Sequence, residues 1–321
     1  MLHSFNNNGT DGYNPYASVI FDTSGNLYST TVYGGVGLGG AVFELTPKAG
    51  GGWTAKLLHS FNTTDGANPY ASLTFDSAGN LYGTTHQGGT YYEGVVFELT
   101  PGAGGIWTEK VLHNFGSSGD GYYPFSGLVL DSAGNLYGTT PMGGLCVNCG
   151  TVFELTLTAG GSWTESVLYS FSGTDLPLGG LSFDASGNLY GTTEYGGAYG
   201  SGTVFELTPS AGGSWTETTL YDFKDNGTDG LNPYASVIFD TFGNLYSTTY
   251  EGGGAHSYGT VFELKASSGG NWTEKVLHSF NSSGGGTYPY AGLILDAAGN
   301  LYGTTYEGGA YGYGTVFEIK H

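Results

Sequence analysis

The motif Leu-[His/Tyr]-x-Phe begins at Leu2, Leu58, Leu112, Leu168, Leu220 and Leu277, so one unit recurs every 52 to 57 residues. A period of that length marks a chain built of supersecondary units, each hiding its apolar face by stacking on the next. One unit reads LHSFNTTDGANPYASLTFDSAGNLYGTTHQGGTYYEGVVFELTPGAGGIWTEKV. It contains four segments rich in β-branched and aromatic residues, each bounded by Gly, Pro, Asn or Asp. In the first unit these are Ala17–Asp22, Asn26–Thr31, Val42–Leu45 and a fourth strand opening at Trp53. Four short strands per repeat predict an all-β fold, a six-bladed β-propeller with four antiparallel strands per blade.

The chain starts in LHSF, the end of a fourth strand, and stops in VFEIK, the end of a third. Leu2–Phe5 is therefore expected to complete the last blade and close the propeller, removing its open edges. A single domain over 1–321 follows, with the closing blade as the weakest seam. The first and fifth units share NGTDG-x-NPYASVIFDT-x-GNLYSTT almost verbatim, which points to internal duplication.

Some repeated polar residues read as scaffold. Asp-x-x-Gly-Asn follows the first strand in all six units, as in Asp76 to Asn80. There the Asp caps the turn and Gly takes the positive φ. Glu44, Glu98, Glu154, Glu206, Glu263 and Glu318 recur in the third strand and are expected to make a hydrogen bond within the sheet. His3, His59, His113 and His278 alternate with Tyr169 and Tyr221, which predicts an aromatic packing position. Asp11, Asp65, Asp120, Asp175 and Asp229 occur about one per loop, too sparse for a calcium loop, and read as turn formers. No cofactor and no metal site is expected.

The net charge is −20, with seven Lys and no Arg. Nucleic acid and anionic membrane are poor candidates as partners, and no nucleic acid is expected, because binding a polyphosphate requires cations that displace its counterions. No run of about 18 apolar residues is present, so no transmembrane segment is expected. Cys146 and Cys149, in CVNC, lack a second Cys pair or flanking His for zinc; they read as a local disulfide or two free thiols.

The phrase SGNLYGTT-x-x-GG…GTVFEL, repeated along essentially the whole chain, resembles the GloVer tandem-repeat family of bacterial choice-of-anchor proteins. The resemblance implies a secreted protein at the cell surface or outside the cell, with leader and anchor not present in this chain. It implies no activity.

Function is expected where the units differ, on loops. Two loop sets should share one face. One links the fourth strand to the next unit; the other follows the Thr-Thr of the second strand. The second set carries Tyr33, His86, Tyr91, Tyr92, Tyr195, Tyr199, Tyr250, Tyr306 and Tyr311, with Glu93, Glu194, Glu251, His256 and Glu307. Tyrosine faces beside carboxylates and amides suit sugar rings, whose CH groups stack while hydroxyls bond the polar neighbours. The expected function is a monomeric, non-catalytic propeller that binds a neutral polysaccharide or cell-surface component. One alternative is a glycan hydrolase or lyase using Glu93, Glu194, Glu251 and Glu307 as catalytic carboxylates. The other is a structural, self-assembling surface protein.

Overall fold

A computed structural model describes residues 1–6, 8–254, 257–267, 269–282 and 285–320. The chain divides into two compact units, Met1–Ser170 and Phe171–His321. The first contains three four-stranded antiparallel sheets. Blade one is ordered Ile20–Phe21, Leu27–Thr31, Ala41–Pro47, Trp53–Ser60; blade two, Thr74–Phe75, Leu81–Thr85, Val95–Pro101, Trp107–Asn114; blade three, Val129–Leu130, Leu136–Thr140, Thr151–Leu157, Trp163–Ser170. The second unit holds blade four, Ser182–Phe183, Leu189–Thr193, Thr203–Pro209, Trp215–Asp222, and blade five, Ile238–Phe239, Leu245–Thr249, Thr260–Ala266, Trp272–Ser279. Its blade six is Ile294–Leu295, Leu301–Thr305 and Thr315–Ile319. The fold class is the six-bladed β-propeller.

Blade six differs from the expectation in having three strands among the described residues, and Leu2–Phe5 is not in a strand. Val316 on its outer strand is 80% exposed, where Val42, Val96, Val152, Val204 and Val261 are 0% exposed. Leu2–Phe5 carries only the LHSF half of a fourth strand. Elsewhere the WTEKV half makes the unbroken ladder, as from Trp107↔Pro101 to Val111↔Phe97, before the register shifts. Phe5 instead packs edge-on against Phe43 at 5.0 Å.

First strands are also shorter than expected: two residues pair where six were anticipated. The preceding carbonyls are met by hydroxyls instead. Ser29 donates to the Ala17 and Ser18 carbonyls, and Thr30 reaches the Pro69 carbonyl of blade two at 3.0 Å. Thr84 reaches Ser126 of blade three, and Thr192 reaches Ala235 of blade five. In blades one, two, four and five the first Thr of the Thr-Thr pair thus ties neighbouring blades together.

Core formation follows the repeat. Phe61 of blade one and Phe97 of blade two, both 0% exposed, meet edge-to-face at 5.0 Å. Phe115–Phe153, Phe223–Phe262 and Phe280–Phe317 repeat that contact. The turn reading holds: Asp76 Oδ1 accepts from the amides of Ala78 and Asn80 at 2.8 and 2.9 Å, and Gly79 takes φ 87°. The third-strand glutamates make the expected bonds as well. Tyr82 Oη lies 3.2 Å from Asp76 Oδ2 and 3.1 Å from Glu98 Oε1, and the other five blades repeat this bridge.

Candidate functional site

The two loop sets lie side by side in each blade. Gly12–Tyr13 pairs with Tyr33–Gly34, Gly121–Tyr122 with Met142–Gly143, and Gly230–Leu231 with Glu251–Gly252. Single bridges join Ala67 to Gln87 and Thr287 to Glu307. In blade four the amides of Glu194 and Tyr195 donate to the carbonyls of Leu176 and Asp175. The second Thr of Thr-Thr anchors the loop root: Thr193 Oγ1 donates to the Tyr195 carbonyl at 2.7 Å, and Thr249 to that of Glu251 at 2.8 Å.

A further backbone feature aims side chains at this face. Asn14, Asn68, Tyr123, Leu176, Asn232 and Tyr288, each just before a proline, have φ between 47 and 60°. Side chains other than glycine rarely occupy that region, and such strain gathers at functional positions. The following residue is aromatic in five blades: Tyr16, Tyr70, Phe125, Tyr234 and Tyr290, with Leu178 in blade four. These dipeptides fall between the first loop set and the first strand expected from the sequence, which begins at Ala17, and belong to neither. Their signal was an aromatic placed ahead of a strand whose alternation did not require it.

In the second unit they build an aromatic cluster. Tyr234 lies 5.3 Å from Tyr250 and 4.8 Å from Tyr290, centroid to centroid. Tyr250 is 4.8 Å from both Tyr288 and Tyr290, and Tyr306 stands 5.9 Å from Tyr290. Glu194, 6% exposed, closes one side, accepting from Tyr234 Oη at 2.5 Å. Its bond to the Tyr195 hydroxyl pushes that phenol up to about 12. Burial, then the neighbouring Tyr290 and Tyr288 and the carboxylates of Glu251 and Glu307, raises Tyr250 above the usual phenol range. Glu194, Glu251 and Glu307 therefore all border this cluster.

The first unit has its own cluster. Tyr70 stacks on Phe125 at 5.0 Å and meets Tyr16 edge-on at 5.5 Å. Burial, then a hydrogen bond with Tyr33, pushes Tyr70 up to about 12. His86 packs against Tyr70 and Tyr123, and burial holds its imidazole below the usual range. Glu93 bonds the Tyr123 hydroxyl, raising that phenol. Tyr91, Tyr92, Tyr199 and Tyr311 join neither cluster; they are 51, 68, 60 and 89% exposed. His256 lies outside the described residues.

Cys146 and Cys149 are joined in a disulfide across the loop of blade three. The loop aspartates do more than form turns. Asp120 Oδ2 binds His113 Nε2 at 2.9 Å, while His113 also packs edge-on against Phe115, as the packing reading expected. Tyr221 Oη donates to Asp229 Oδ2 at 2.9 Å in the same way. His59 Nε2 likewise lies 3.3 Å from Asp65 Oδ2, and a glutamate from the next fourth strand approaches each of the three pairs. Burial, then the loop aspartate, pushes Glu109, Glu165 and Glu274 up to about 7. No sequence pattern announced these groupings, since their members come from two repeats.

Propeller blades that each present paired loops define a repeat-scaffold architecture. The Gloeobacter/Verrucomicrobia repeat matches residues 1–153 and 130–321, and the chain belongs to that family. No curated protein matches it. Among solved structures it is similar to a puromycin hydrolase mutant complexed with PGG, at 10% identity and TM-score 0.52 over 96% of this chain. It is also similar to PorZ, described as an essential surface component of the type-IX secretion system of Porphyromonas gingivalis, at 16% identity and TM-score 0.47 over 94% of this chain. The chain spans 52% and 38% of those two chains, and the first likeness reflects the fold alone.

Proposed function

We propose that this protein is a non-catalytic binding propeller that takes neutral glycan on its tyrosine-rich loop face, outside the cell or at its surface. The observation carrying this reading is the gathering of Tyr234, Tyr250, Tyr288, Tyr290 and Tyr306 beside Glu194, Glu251 and Glu307. Ring faces supply stacking area at low entropic cost, and the bordering carboxylates accept from sugar hydroxyls. Glu194 is committed to two tyrosine hydroxyls, which suits positioning better than proton transfer. The Cys146–Cys149 disulfide fits an oxidising compartment. The absence of Arg favours a neutral over an anionic sugar.

Affinity electrophoresis against a panel of neutral polysaccharides tests the reading. Retention on at least one, weakened about tenfold by Tyr250→Ala and by Tyr306→Ala, is expected; each such ring contact is worth roughly 1–1.5 kcal/mol. Tyr306 is 62% exposed, so its variant folds normally. No retention on any polysaccharide overturns the proposal.

A further inference from the structure

We propose that two seams between blades of the first unit each bind a first-row divalent cation. At the first seam, His59 stands in the fourth strand of blade one, Asp65 in the loop that follows, and Glu109 in the fourth strand of blade two. At the second, His113, Asp120 and Glu165 occupy the same positions one blade further on. In each set the imidazole nitrogen and two carboxylate oxygens lie within 4.8 Å of one another. His59 Nε2 is 3.3 Å from Asp65 Oδ2, and His113 Nε2 is 2.9 Å from Asp120 Oδ2.

Three of the atoms facing the gaps are sealed from solvent and short of partners. His59 Nε2, Glu109 Oε1 and Glu165 Oε1 are buried and make no hydrogen bond. Asp120 is 3% exposed, so the carboxylate that Glu165 faces is itself inside the protein. Two carboxylates, partly or wholly buried, beside an imidazole form an electron-rich pocket. One nitrogen and two oxygen donors suit first-row divalent ions. Zinc takes such donors at about 2.0–2.2 Å in a tetrahedron, so ligand atoms must come within about 3.5 Å of each other. Metal binding therefore requires the glutamate side chain to rotate towards the histidine and aspartate.

The repeat provides its own controls. At the seam of His3 and Asp11, Ala55 stands where Glu109 stands in blade two, opposite Leu45 as Glu109 is opposite Leu99. In the second unit, Tyr221 replaces the imidazole beside Asp229 and Glu274. Neither seam has the full ligand set, so the expected stoichiometry is two.

The test measures zinc bound to chelator-stripped full-length protein after equilibration with zinc chloride and gel filtration. His59→Tyr and His113→Tyr install the residue that already fits at Tyr221, and circular dichroism checks their folding. Should a Tyr variant misfold, Glu109→Gln and Glu165→Gln replace it. Two equivalents in the wild type, one in each single variant and none in the double variant are expected, with a zinc-dependent rise in melting temperature that the double variant loses. Less than one equivalent in the wild type, or zinc retained by the double variant, overturns the proposal. A single equivalent that answers to one histidine only overturns the equivalence of the two seams.

Discussion

Tyr234 of blade five donates its hydroxyl to Glu194 of blade four across 2.5 Å, joining the Pro-Tyr dipeptide of one repeat to the Thr-Thr loop of another. Tyr234→Phe removes one of two hydroxyls that satisfy a buried carboxylate. A cost of about 1–3 kcal/mol is expected for leaving such an acceptor short. Urea unfolding measures it. A parallel loss of retention on neutral polysaccharide is expected if the cluster is the binding surface.

The Tyr-Asp-Glu bridge of each blade should matter in proportion to its burial. Tyr82 is 5% exposed and its phenol bridges Asp76 and Glu98. Tyr82→Phe is expected to cost about 1–3 kcal/mol. In blade six, Glu318 is exposed beside Tyr302 and open to water. Tyr302→Phe should cost below about 0.5 kcal/mol, as for most surface changes. Equal losses in denaturant midpoints would contradict this account.

Stability should fall as pH rises from about 4.5 to about 7. Burial, then the nearby Asp229, pushes Glu274 from 4.5 up to about 7. Below 4.5 the carboxyl is protonated folded or unfolded, and burial carries no charge penalty. Between 4.5 and about 7 the unfolded chain releases the proton while the folded chain keeps it, so rising pH favours unfolding. Glu274→Gln should flatten the slope of melting temperature against pH. An unchanged slope would show that Glu274 is not buried as described.

Reducing the Cys146–Cys149 disulfide should have a small, local effect. The closed loop has a sequence separation of 3, and chain-entropy reasoning gives about 2 kcal/mol at most for so short a loop. The effect should show as faster amide exchange at Gly143, whose amide donates to the Val147 carbonyl, ahead of any shift in global unfolding.

Much of the fold was legible because its causes are local. Asp76, Gly79 and Asn80 specify a turn by their own chemistry, and that turn formed with the bonds expected. β-Branched and aromatic residues bounded by Asn and Gly placed the second and third strands, as at Leu81–Thr85. First strands were overestimated because the hydroxyls of Ser29 and Thr30 replace the ladder there, a side-chain competition that a strand pattern does not reveal. At the candidate site, Glu194 and Tyr250 were identified by their variable loop, whereas Tyr234 and Tyr290 were hidden inside the repeat.

By itself the amino-acid order determined six repeats, their turns, their β character and the loops most open to variation, because spacing and turn chemistry act within one unit. Only the tertiary structure decided which side chains meet. Glu194 finds Tyr234, and Glu165 finds Asp120 and His113, across separations of about 40 to 50 residues. Such meetings depend on how one blade stacks against the next, and that geometry comes from packing Phe61 on Phe97 and its counterparts rather than from the residues that it brings together.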